Sequence, residues 1–109
     1  MSEDDKLLQE QIIVSSGNVL LPESSAKIFH EKLAAYINEL INTNFLQLVN
    51  WLYRLDVSEQ KLKTLLAAQP NADAGLIIAD LIIERQMQKI KSRKEFKGNA
   101  TEIPENEKW

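Results

Sequence analysis

Residues able to carry a reaction are few in this chain. Cysteine is absent and histidine occurs once, at His30. That removes thiolate nucleophiles, disulfides, Cys-based zinc sites and His clusters together. No G-x-S-x-G, Walker A, G-x-G-x-x-G or H-E-x-x-H pattern occurs. Two arrangements remain. On a helical wheel His30 falls near Ala34 and Ile37, inside an apolar stripe. An orienting carboxylate there would make it a general base or a pH-sensitive group, whereas a single hydrogen bond would make it an ordinary core-edge histidine. Asp80 and Glu84 stand four apart and could offer two oxygens to a metal, as carboxylate sites in helical bundles do. The Glu-x-x-His partners of such sites are missing, so the residues favour an acidic edge that faces water or pairs with Arg54 or a lysine. The expectation is a non-catalytic protein with no cofactor and no metal.

Binding chemistry is better represented. Between positions 85 and 97, Arg85, Lys89, Lys91, Arg93, Lys94 and Lys97 face the single acid Glu95. A projecting basic helix of this kind would bind nucleic acid by releasing counterions, the function of a nucleic-acid accessory protein. The same cations also suit a plain solvated helix end, where the macrodipole favours positive charge. The acidic start Glu3-Asp4-Asp5 could fold back on them and mask them. A helix pair over 45–55 and 59–69 has the outline of a helix-turn-helix, yet its second helix opens with Glu59 and carries only Lys61 and Lys63 as cations. The third reading is a protein partner. A thin seam of Met87 and Ile90, with Trp51 at the margin of another apolar face, is a surface that a second copy or another helix would close, giving a homodimer or an adaptor.

The elements that position these residues follow from periodicity. A helix over about 25–42 gathers Phe29, Leu33, Tyr36, Ile37, Leu40 and Ile41 on one stripe; Ser24 and Ser25 can cap its start and the Asn42-Thr43-Asn44 cluster ends it. A second, over 45–55, sets Phe45, Leu48, Val49, Leu52 and Leu55 against Gln47, Asn50 and Arg54. Ser58 suits an N-cap, with Val57 and Leu62 as a hydrophobic staple, for a third helix over 59–69 that Pro70 closes. Asn71 or Asp73 then caps a long helix over 72–96. In its first half Leu76 to Ile83 leave only Asp80 and Glu84 on a polar edge, the pattern of a central element; the second half is expected to project beyond the bundle. The first 21 residues read as a short helix with Gly17 as C-cap, or as a small hairpin around Ser15-Ser16-Gly17-Asn18. The expected architecture is all-α, a compact bundle of about four helices in one domain, 1–98, followed by a flexible tail, 99–109, with Trp109 at its end.

Composition agrees with a globular chain. Of 109 residues, 44% are hydrophobic and 27% charged, and three Gly with three Pro are too few for a loop-rich protein. The net charge of -3 speaks to solubility more than to a partner. No basic start precedes an apolar core at the N-terminus, and the longest apolar run, 75–83, is interrupted by Asp80, so neither membrane insertion nor secretion is expected and a cytoplasmic location is. In the stretches FLQLVNWLYRLDVSEQKLKTLL and LIIADLIIERQMQKIKSR the chain resembles small bacterial all-helical proteins that have no assigned function. The resemblance implies a bacterial, cytoplasmic origin and carries over no active site.

Overall fold

Five helices build the described part of the chain, residues 3–99 of a computed structural model in which side chains are described through residue 95. In order they are α1 (Glu3–Ser15), α2 (Ala26–Thr43), α3 (Phe45–Arg54), α4 (Glu59–Ala68) and α5 (Ala74–Asn99). The described residues contain no strand, and the all-α expectation holds. The expected tail lies outside the described residues from position 100 onward.

Each boundary has a local chemical cause. Ser25 Oγ accepts the Ile28 N–H and Ser58 Oγ accepts the Lys61 N–H, so both serines act as N-caps. Asn44 ends α2 by donating its N–H to Leu40 O and starts α3 by accepting the Gln47 N–H on its side chain. The N-terminal segment takes the helical alternative. Gly17 and Asn18 donate to Val14 O and Ile13 O, the paired bonds of a Schellman motif, with Gly17 at φ 78°. The hairpin fails because this motif satisfies the carbonyls at the end of α1 without a partner strand. The same bond pattern ends α3, where Asp56 and Val57 donate to Tyr53 O and Leu52 O. Here the left-handed position, φ 64°, is occupied by Asp56 rather than glycine.

The organising pair is α2 against α5. Phe29, Leu33, Ala34 and Ile37 on α2 meet Ile78, Ala79 and Ile82 on α5, all buried. The start of α5 comes so close to α2 that a Cβ added at Gly75 would lie 2.5 Å from Ala34 O and 2.6 Å from Asn38 Cγ. A polar clasp fixes this approach. Asn38 Oδ1 accepts the Gly75 N–H, Asn38 Nδ2 donates to Asp73 Oδ1 at 2.8 Å, and Asp73 Oδ1 also accepts the Gly75 N–H as N-cap of α5. The Asn38 bond, and after it the backbone N–H of Gly75, hold the Asp73 carboxyl below its ordinary 3.8.

Around this pair, α3 packs on α2, α4 packs on α5, and α1 lies along α5. The second half of α5 therefore does not project freely, contrary to expectation. Leu8 and Ile12 of α1 are buried in one core with Ile90, and Gln86 of α5 is buried with its Nε2 donating to Leu55 O. The apolar residues of the first half of α5 are largely buried, except for Leu76, which lies one turn before Asp80 and two before Glu84 on the same exposed edge.

Candidate functional site

One apolar surface left uncovered lies between α3 and α4; Val14, Val19, Leu21 and Leu46 are exposed outside it. On α3, Phe45, Val49 and Tyr53 recur at i, i+4 and i+8; on α4, Leu62 and Leu66 recur at i and i+4, so each set forms one stripe. The two stripes face a common groove of about 310 Å³. The helices do not fill it for each other. α3 is held by α2 and α4 by α5, and the two make little contact across the space between them. Phe45 is 60% and Tyr53 68% exposed, although both continue the apolar pattern of α3. The inward face of α3 is occupied by Leu48, Trp51, Leu52 and Leu55, all buried. Phe45 is thus corrected from a core residue to a surface one: a ten-residue helix with apolar residues on more than half its circumference can bury only one side against α2.

The groove carries little charge. Its two ionisable lining groups, Glu59 and Lys63, pair with each other at 3.1 Å one turn apart on α4. Its rim is held at the α3–α4 corner by Asp56, whose carboxylate lies 3.8 Å from Arg85 and 3.5 Å from Lys89.

The expected partner seam is closed from within. Trp51 is 2% exposed, at the centre of the core rather than at the margin of a face. Its indole N–H donates to Ser15 Oγ at 2.8 Å, and Tyr36 meets its ring edge-on with centroids 5.6 Å apart. Ile90 is buried and Met87 packs partly buried on the same core. The cover is α1, whose burial of Leu8 and Ile12 depends on contacts remote in sequence. Trp51 and Ile90 are therefore not exposed for docking, while Met87 lines a cavity between α1, α2 and α5.

The basic stretch is largely engaged inside the molecule. Arg85 Nε donates to Asp56 O, and Lys89 reaches Leu55 O and the Asp56 carboxylate. Lys94 pairs with Asp4 at 2.7 Å, and this bond and the charge of Asp4 raise the ammonium above its ordinary 10.5. The acidic start thus folds back on the basic end. Lys91 lines a cavity of about 390 Å³ between α1, α2 and α5 together with Asp5 and Glu84. Arg93 is exposed, and the Lys97 side chain lies outside those described. Of the five cations whose side chains are described, Arg85, Lys89 and Lys94 are paired within the molecule. The helix-turn-helix outline gains nothing either, since Lys61 pairs with Glu84, Lys63 with Glu59, and α3 and α4 do not pack as a unit.

The residues singled out for reaction chemistry are brought together only in part. His30 Nε2 lies 2.7 Å from Asp80 Oδ1, so the imidazole does find a carboxylate across α2 and α5. That carboxylate is 72% exposed, and the two cavities lined by Glu84 include neither His30 nor Asp80. Glu84 itself is taken by Lys61. The pair ties α2 to α5. Among the described residues no group of three or more His, Asp or Glu side chains converges as a metal site requires. None of the described helices is long and apolar enough to cross a membrane.

No family model, no curated protein and no solved structure matches this chain.

Proposed function

We propose that this protein is a non-catalytic helical interaction module that docks a protein partner on the α3–α4 face. The observation that carries the reading is the groove itself, with Phe45 and Tyr53 more than half exposed on a helix whose other side is fully packed. Leaving two aromatic side chains of one stripe in water forgoes several kcal/mol of burial by area, roughly 25 cal/mol per Å² on side chains of about 200 Å² each. Contiguous apolar surface of this kind marks interaction sites on soluble proteins. Of the basic stretch, Arg85, Lys89 and Lys94 in contrast already pair with neighbours in the same chain.

Site-specific photocrosslinking in cells that naturally express the protein tests this. A photoreactive residue at position 45 or 53 is expected to yield one and the same adduct, absent when the residue is placed at Glu31 on the exposed side of α2. The adduct should vanish from the Phe45 position when Tyr53→Glu is added. Equal labelling from Glu31, or no adduct from 45 and 53, would refute the docking face. An adduct of twice the chain mass would identify the partner as a second copy.

A further inference from the structure

The identity of what fills the groove can be narrowed, granted the docking face above. We infer that its occupant is a single amphipathic α-helix of a partner, presenting an uncharged apolar stripe of about three turns. Three observations combine. The first is size. α3 and α4 have ten residues each, so the groove is about 15 Å long, the span of roughly ten residues of a third helix. Nine residues line it. An interface between two folded surfaces uses about 20–30 residues on each side, so a second copy could not rest on the groove alone and would have to extend onto surface beyond it. One helix presenting i, i+3 or i+4, and i+7 side chains matches both length and width.

The second observation is backbone chemistry. An extended or polyproline segment brings unpaired N–H and C=O groups that must be satisfied where it docks. The lining offers the Tyr53 hydroxyl, together with a Glu59 and a Lys63 that already pair with each other. No strand edge exists among the described residues to receive an extended chain. A helix satisfies its own backbone and asks only for apolar contact, which is what Phe45, Val49, Leu62 and Leu66 supply. The third is charge. Glu59 and Lys63 cancel, so nothing in the groove would offset a charged group on the occupant's buried stripe.

The test uses the full chain and a phage-displayed library of random peptides of about 16 residues, long enough for some four helical turns. Selected sequences are expected to share apolar residues at i, i+3 or i+4, and i+7 with uncharged spacing on that face. Synthesised, they should gain helical circular dichroism on binding and perturb the NMR resonances of Phe45, Tyr53, Leu62 and Leu66. Tyr53→Glu, at an exposed position that leaves the core intact, should weaken binding about tenfold or more. Leu46→Glu, exposed on a different side of α3, should not. Selected peptides with alternating apolar residues or a proline-rich pattern, sensitive to Tyr53→Glu, would overturn the helical occupant while leaving the docking face standing. Self-association in sedimentation that Tyr53→Glu abolishes would overturn it in favour of a second copy. No enrichment, or binding indifferent to Tyr53→Glu, would overturn both readings.

Discussion

Gly75→Ala separates helix propensity from tertiary packing, because the two effects have opposite signs at this position. Alanine in place of glycine inside a helix is worth about 1 kcal/mol by propensity alone. The added Cβ, however, would lie 2.5 Å from Ala34 O and 2.6 Å from the Asn38 amide. The carbonyl belongs to the backbone of α2 and cannot rotate away, so α5 must back off from its main partner. Overpacking of this kind costs about 1–3 kcal/mol. Displacing Asn38 also endangers its bonds to Gly75 N–H and Asp73, each worth about 0.5–1.5 kcal/mol. The sum is a net loss of about 2 kcal/mol, which for a domain of this size lowers Tm by on the order of 10 °C. Urea denaturation followed by circular dichroism measures it, with the slope m expected to stay constant. Asn38→Ala in the Gly75→Ala background is informative because it clears the side-chain obstacle and leaves only the Ala34 carbonyl; stability should not recover. A Gly75→Ala protein as stable as the parent, or more so, would refute the account of how α2 and α5 are held.

Asp56 occupies a left-handed position while its carboxylate serves Arg85 and Lys89. Asp56→Ala should therefore destabilise by about 1 kcal/mol, and Asp56→Gly by less, since glycine relieves the backbone while losing the same exposed ion pairs; urea midpoints compare them. Ser15→Ala leaves the Trp51 indole N–H buried without its acceptor and should cost about 1–3 kcal/mol, read by Trp51 fluorescence during urea unfolding in a Trp109→Phe background. Asp73 has a folded pKa below its unfolded value, so its contribution is complete above about pH 4 and is lost as pH falls through the depressed folded value. Thermal melts between pH 5 and pH 2 should show Asp73→Asn losing less stability across that window than the parent.

Local grammar accounts for what could be read in advance. Ser25, Ser58, Asn44 and Gly17 act within four or five residues of themselves, so their roles as caps are visible before any tertiary contact forms. The 3.6-residue period locates α2 and the first half of α5 for the same reason. Trp51 and Ile90 are buried by residues remote in sequence, Tyr36 and Ser15 on Trp51 and α1 beside Ile90, and an amphipathic pattern does not say which element will cover it. The groove was missed for the converse reason. Periodicity marks Phe45 as apolar-faced but presumes that every such face finds a partner in the same chain. The clue that was present is the apolar breadth of α3, in which Phe45, Val49 and Tyr53 make a second stripe beside that of Leu48, Leu52 and Leu55. His30 found its carboxylate, yet a site also needs enclosure, and enclosure has no signature in residue spacing.

The tie between Asp4 and Lys94 spans 90 positions. Helices α2 to α5 assemble from contacts closer in sequence, whereas α1 has its principal partner at the far end of the chain. A lone 13-residue helix is marginal in water, so α1 gains its order from docking. On a chain synthesised from its N-terminus, α1 is made before its partner α5 and cannot dock until the later turns of α5 exist. Until then the face of α5 that meets Leu8 and Ile12 has no cover from α1. An undocked α1 would leave its own Leu8 and Ile12 and the facing part of α5 exposed, and hydrogen exchange should find α1 opening together with the end of α5.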